Sequence, residues 1–425
     1  MTMNKIDYAG IGETLYTTTL DNGLPIFVLP KKGFRKSFAA FATNYGGADR
    51  RFMLDGTLHD TPAGVAHYLE HKMFDMPDGS ALAVLEANGA SPNAFTSDTM
   101  TLYHFECTDK FSENLRELLS FVSTPYFTEE SVSKEQGIIG QEIRMCEDSP
   151  DYRLYINLMR SLYAHSPLRD GVAGTVESIA EITPEVLYNC HAAFYRPGNM
   201  VLTVVGDVDP ERVADTAAEL LTKERSSRPA VDFGEPETLE PLAGCIEETM
   251  EVSMPQFVIG LKAGPEPHGE AALRERMLCS MALKCLFGTS SSFYNRLYAN
   301  DLINAEFSTD ADYAAGESFI YFGGESRDPD AVLDEIKKEF DRAAREGLDE
   351  RYFNRLKKSS YGSRIRALGN FEGMAISLVE GCFAGYQPLD AFRVLDSVSA
   401  ADCSAWLRDK LVADRLAMSV IRPKE

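Results

Sequence analysis

The chain reads twice. In its first half an amphipathic helix pattern over Phe111–Val122 leads into Pro125-Tyr-Phe-Thr-Glu-Glu and then a second helix pattern running through Arg144. In its second half the order returns: an amphipathic pattern over Asp330–Arg345, then Gly347-Leu-Asp-Glu-Arg-Tyr-Phe, then a helix through Ala367. A repeated supersecondary unit restricts the chain to two like domains, because each copy has the same faces to bury. Setting Thr128 opposite Asp349 fixes the register. Glu135 then falls opposite Leu356 and Glu142 opposite Ser363, so the second copy keeps the architecture and lacks both acids. Between the copies, Lys223–Pro241 is rich in Pro, Ser and charge and has no apolar period, which reads as a linker. The expected division is residues 1–222, a linker over 223–241, and a homologous domain over 242–425. With 425 residues there is length for two sizeable cores.

Strand signals flank the helices. Ile26–Leu29 and Val201–Val205 are short β-branched or apolar runs, and Thr99–Cys107 alternates with Thr101, Tyr103 and Phe105 on one side. Gln256–Leu261 and Ser318–Phe322 read alike in the second half. Strands precede and follow runs of helices, which points to α+β rather than strict βαβ alternation: two homologous domains, each a mixed or antiparallel β-sheet with helices mainly on one face.

The strongest chemical signal lies in Thr61-Pro-Ala-Gly-Val-Ala-His-Tyr-Leu-Glu-His-Lys-Met-Phe. Thr61 is the expected N-cap and Pro62 fits a first helical turn. On the helix that follows, His67, Glu70, His71 and Phe74 share one face at i, i+3, i+4 and i+7. Two imidazoles one turn apart can reach a single ion at about 2.0–2.1 Å, and the carboxylate between them can take a proton from a water held there. This H-x-x-E-H order is the inverse of the commoner zincin motif. Catalytic zinc usually takes three protein ligands, so a third is needed. Glu135 and Glu142, two turns apart on the helix Glu130–Arg144, face the same way. One could bind the ion while the other supports a histidine. Spacing alone does not say which, and acids on helices are usually solvated.

Composition narrows the function class. A formal net charge of -23 makes a general nucleic-acid binder a poor candidate, since phosphate contacts need clustered Lys and Arg. It could suit cationic peptides, or simply keep the surface soluble. No run of 18 apolar residues suggests a membrane span, and Met1–Thr19 lacks the pattern of a secretory signal. The eight cysteines are scattered without a C-x-x-C pair, as expected of reduced thiols in a cytoplasmic protein.

Taken together, these residues resemble the pitrilysin/insulinase peptidases, including their mitochondrial processing and bacterial relatives. The likeness spans most of the chain and is densest over residues 20–210. The family's H-x-x-E-H is His67-Tyr-Leu-Glu70-His71. Its third zinc ligand lies some seventy-odd residues on, in a helix, with a supporting Glu two turns earlier, and Lys134-Glu135-Gln-Gly-Ile-Ile-Gly-Gln-Glu142-Ile is similar to that segment. The resemblance therefore implies one zinc ion per chain, bound by His67, His71 and Glu142, with Glu70 as general base and Glu135 in support. Asn93-Ala94-Phe95-Thr96-Ser97 looks like the family's substrate strand, an edge strand that pairs with an extended peptide. Asn93 and Ala94 would touch the peptide backbone, and Phe74 and Phe95 match apolar positions around the cleavage subsites, with core packing as the competing role. Phe194-Tyr-Arg-Pro-Gly-Asn-Met200 and Gly206-Asp207 match a further signature, taken as structural. Leu20-Asp-Asn-Gly and Gly137-Ile-Ile-Gly-Gln-Glu142-Ile are of the type found in the family's bacterial zinc proteases.

The implied activity is zinc-dependent endopeptidase cleavage of small peptides or unfolded segments enclosed in a chamber. One departure stands out. Many active members carry an Arg and a Tyr in the noncatalytic half that hold substrate; the matching positions here are Tyr298 and Ala305. This mismatch suggests a dimer, with a homologous noncatalytic subunit supplying those groups. Two other roles share the sequence pattern: a noncatalytic scaffold or binding subunit, and a dedicated maturase of a single precursor.

Overall fold

Strand Met200–Gly206 is buried at every position, and apart from Thr203 its sequence is an unbroken apolar run closed by Gly206. A strand covered on both faces belongs inside a sheet. In the computed structural model, which describes residues 3–77 and 79–424, it lies fourth in a seven-stranded sheet. The order is Asn4–Tyr8, Glu13–Thr19, Pro25–Pro30, Met200–Gly206, Ser37–Thr43, Thr101–Cys107 and Ala90–Thr96. Met200–Gly206 runs parallel to Pro25–Pro30, and every other pairing is antiparallel. The second sheet has five strands in the order Cys245–Met250, Leu416–Pro423, Gln256–Pro265, Glu317–Glu325 and Ser308–Ala314. Its one parallel pair is Cys245–Met250 with Leu416–Pro423, the counterpart of Pro25–Pro30 with Met200–Gly206. The two sheets thus share one topology, and the first adds the N-terminal hairpin Asn4–Tyr8/Glu13–Thr19, which the apolar pattern did not flag.

The helices repeat as expected. Phe111–Ser123 and Glu129–Glu147 correspond to Pro329–Glu346 and Glu350–Ala367. On the register that sets Thr128 opposite Asp349, burial matches position by position from 131 to 139 against 352 to 360, with Val132 and Ile139 buried opposite Phe353 and Ser360. None of the helices formed by the described residues is long and apolar enough to cross a membrane.

The division into units differs from the contiguous one read from sequence. One unit comprises Met1–Ile143, Gly171–Phe233 and Ile365–Leu389; the other comprises Arg144–Asp170, Gly234–Arg364 and Asp390–Glu425. Each therefore takes a helix from the opposite half of the chain. In the first, Phe371–Ala384 packs on Met200–Gly206 and Ser37–Thr43, where Thr203 Oγ1 donates to the Ala375 carbonyl at 3.2 Å. Leu202 and Val204, alternating with Thr203, face the main core on the other side of the sheet, beneath the helices Val65–Met73, Phe111–Ser123 and Pro210–Leu220. In the second unit, Pro150–Leu162 packs on Leu416–Pro423 and Gln256–Pro265. It comes so close that a Cβ at Gly260 would lie 2.8 Å from Leu158 Cδ1 and 2.9 Å from Leu162 Cδ1.

The segment 223–241, read as a linker, is bonded along its length. Val231 bridges Phe52, the Met53 N–H donates to the Ala230 carbonyl at 3.0 Å, and Arg228 pairs with the buried Asp49 at 2.8 Å, all within the first unit. In the second unit, Glu237 accepts the backbone N–H groups of Ala164, His165 and Ser166 and pairs with buried Lys262 at 3.1 Å. These bonds hold its carboxyl down at about 2 against the opposing effect of burial. Polar composition suggested free chain; the polar groups are instead spent on fixed partners.

Candidate metal centre

The motif helix is Val65–Met73, later than expected. Thr61 is not its cap: the Thr61 hydroxyl and N–H both turn to the Arg50 carbonyl, at 2.9 and 3.0 Å. The N-cap is Gly64, left-handed at φ 95, where a Cβ would also lie 2.5 Å from the Ala173 carbonyl oxygen. Only glycine meets both conditions. Tyr68, Leu69 and Met73 drive one face into the first unit's core, which leaves His67 and His71 half-buried on the other.

The helix Glu129–Glu147 brings the acids. Its buried Val132, Ile139 and Ile143 seat it against the core, and the Tyr68 hydroxyl donates to the Val132 carbonyl. Glu142 then reaches both histidines, with Oε1 3.6 Å from His67 Nε2 and Oε2 3.6 Å from His71 Nε2. These separations are too long for hydrogen bonds. They are close to the roughly 3.4 Å expected between ligand atoms arranged tetrahedrally at zinc's usual bond lengths. His67, His71 and Glu142 each offer one ligand atom within 4.8 Å of the others, and among the described residues no other His, Cys, Asp and Glu group does so. Glu135 lies 3.0 Å from His71 Nδ1, so that nitrogen carries the proton and Nε2 presents its lone pair to the centre. The spacing of the two glutamates left their roles open. The geometry separates them, and the donor set fits a zinc-sized ion.

The electrostatics follow from the same placement. Burial lowers His67 to about 4, and the adjacent His71 adds to this. Burial lowers His71 too, but the Glu135 hydrogen bond and the charges of Glu70, Glu135 and Glu142 leave it raised overall. Glu135 is lowered, mainly by its bond to His71. Glu70 is buried, and burial raises its carboxyl. Thr96 Oγ1 donates to Glu70 Oε2 at 2.7 Å, a contact that sequence reasoning did not find. A threonine on a strand carries no local signal of a partner 26 positions away.

Thr96 ends the strand Ala90–Thr96, which is an edge of the first sheet. Strand alternation puts Ala94 on the same face as Thr96, and Asn93 and Phe95 on the other. The Ala94 N–H is taken by its neighbour's Asn93 Oδ1 at 2.9 Å. Phe74 joins the core edge, its ring 5.3 Å from Phe121 and 5.8 Å from Tyr103. In the second unit, Tyr298 is exposed at the end of the helix Ser292–Ala299 and stacks on Tyr294.

Comparison with known proteins identifies the family of the chain. Residues 54–176 match the model of the insulinase family, peptidase family M16, and residues 181–360 match the M16 inactive domain. The chain is 38% identical over 427 residues to the uncharacterized zinc protease YmfH of Bacillus subtilis (strain 168), covering 99% of this chain and 100% of that one. The crystal structure of an M16-like peptidase from Alicyclobacillus acidocaldarius superposes with a TM-score of 0.93 at 31% identity, covering 99% of this chain and 100% of that one. Pitrilysin shares the fold at a TM-score of 0.78 and 16% identity, with 100% of this chain matched to 47% of its length.

Proposed function

Because the chain belongs to the insulinase/pitrilysin family of peptidases, M16, we propose that it is a zinc-dependent endopeptidase. The observation that carries this reading is the convergence of His67 Nε2, His71 Nε2 and the Glu142 carboxylate from two helices, with Glu70 beside them on the same turn as His71. Zinc bound there would lower the pKa of a water towards 7 and polarise the scissile carbonyl.

The chain's own residues do the rest. Glu142 supplies the negative charge among the ligands, and Glu135 fixes the His71 tautomer through Nδ1. Thr96 occupies Glu70 Oε2, so Oε1 takes the proton of the attacking water and returns it to the leaving amine. The edge strand Ala90–Thr96 offers its backbone to an extended peptide, which suits small peptides or unfolded segments of varied sequence. For that pairing the Asn93 side chain releases the Ala94 N–H. A homologous subunit that completes the substrate site belongs to the same proposal and rests on the Tyr298 and Ala305 positions. So does a cytoplasmic location, supported by eight free cysteines.

The test is turnover of a mixed quenched-fluorescent peptide library by zinc-loaded protein alone, with Glu70→Gln as control. Cleavage that disappears in the variant supports a self-sufficient peptidase. No cleavage at one zinc per chain rejects self-sufficiency and directs the search to a second subunit. Failure to bind zinc rejects the reading as a whole.

A further inference from the structure

The residue after the second histidine is a lysine, and its side chain is 1% exposed. A buried ammonium needs partners, since desolvation strongly disfavours a charge left unpaired. Lys72 has three. It pairs with Asp75 just beyond the motif helix, donates to the Ser131 carbonyl at 3.3 Å, and lies 4.0 Å from Glu135 Oε2. The last two sit one turn apart on the helix that carries Glu142. The two oxygens of Glu135 are thereby divided: Oε1 faces His71 Nδ1 and Oε2 faces Lys72 Nζ. Tyr68, one turn before Lys72, holds the next carbonyl along, that of Val132. Two side chains of the motif helix therefore grip the start of the acid helix, and one of them also lies within ion-pair distance of the carboxylate that orients His71.

We propose that Lys72 is a positioning residue of the metal centre, acting through Glu135 to hold His71 with its Nε2 towards the ion. The inference rests on the metal-site reading above. An apolar residue at position 72 could fill the space, but it would leave Glu135 free to turn from His71 and would give up the Ser131 grip. The effect should appear in metal affinity and should vanish when Glu135 can no longer act. A lysine that merely helps the chain fold would lower stability with or without Glu135.

The experiment measures zinc affinity by chelator competition on four proteins: wild type, Lys72→Met, Glu135→Gln and the double variant. Lys72→Met is expected to weaken zinc binding by about tenfold, within the range known for groups that orient metal ligands. The double variant is expected to bind as Glu135→Gln alone does, the signature of two residues acting as one unit. Additive losses, or an unchanged affinity in Lys72→Met, overturn the proposal. Should Lys72→Met fail to fold by circular dichroism, Lys72→Arg and Lys72→Gln replace it. Arginine is expected to retain zinc affinity and glutamine to lose it, and equal affinities overturn the proposal. A wild type that binds no zinc overturns the metal-site reading and this inference together, whereas normal binding in wild type and variants alike overturns this inference only.

Discussion

The helices Glu129–Glu147 and Glu350–Ala367 follow corresponding strands and helices and match in burial over 131–139 and 352–360, yet they present different chemistry. The first offers Glu135 and Glu142 to two histidines. The second has Leu356 and Ser363 at those places, and the helix Glu270–Phe287 in its unit has no histidine. Charge differs as well: the second helix has Arg351, Arg355, Lys357, Lys358, Arg364 and Arg366 against a single acid, Glu350. What the two share is what the fold requires, namely the apolar contacts at 132 and 353 and the small or apolar contacts at 139 and 360. The site residues of the first helix are therefore additions to a scaffold that stands without them, and they can be exchanged without dismantling it.

Making the first helix resemble the second is the severest test of that view. Glu135→Leu with Glu142→Ser should take zinc from one per chain to none and remove turnover, while circular dichroism stays as in wild type. Loss of the fold would mean that the acids are structural. Next in size, Glu70→Gln should keep the zinc and lower turnover by about 10²- to 10⁴-fold. Loss of zinc in that variant would make Glu70 a ligand.

Acid separates the units. Burial lowers His191 of the first unit to about 4 from the ordinary 6.5 of histidine. A base depressed in this way stabilises the fold above pH 6.5 and loses that contribution as pH falls towards 4. Over that window the first unit should lose on the order of 3 kcal/mol relative to a His191→Phe variant, read by hydrogen exchange on the strand Met200–Gly206. Comparison with the variant cancels Asp49, which burial pushes up to about 6 and which therefore favours folding as pH falls. The histidines of the second unit, His165 and His268, are exposed. Among its depressed carboxyls Glu237 is held lowest, at about 2, and its stabilisation is lost only below about pH 4.5. Glu237→Gln should accordingly leave the shape of the 6.5-to-4 profile unchanged. Smallest of all, Leu356→Glu with Ser363→Glu should bind no second zinc and should shift stability by about 1 kcal/mol or less, because both positions are at least partly exposed.

The motif was legible because its residues are local. His67, Glu70 and His71 share a face in any helix that contains them. The strands Pro25–Pro30, Thr101–Cys107 and Met200–Gly206 were legible from apolar runs or alternation. Glu142 became a candidate through spacing but an expected ligand only through resemblance, since helical acids usually face water. Tertiary partners lay beyond reach: Thr96 for Glu70, Lys72 for Glu135, and Arg50 in place of a cap for Thr61. The helices Pro150–Leu162 and Phe371–Ala384 show the same limit. An amphipathic pattern declares an apolar face but does not name the sheet that will cover it.

That exchange of helices bears on how the protein is made. Met200–Gly206 can leave the ribosome with Ser37–Thr43 beside it, but Phe371–Ala384, which covers them, is translated more than 160 residues later. The first unit therefore waits, with the Thr203 face of its sheet open, until synthesis is nearly finished. A fragment ending near residue 222 would emerge with that face bare and would need a chaperone, or the rest of the chain added in trans, to become a folded body.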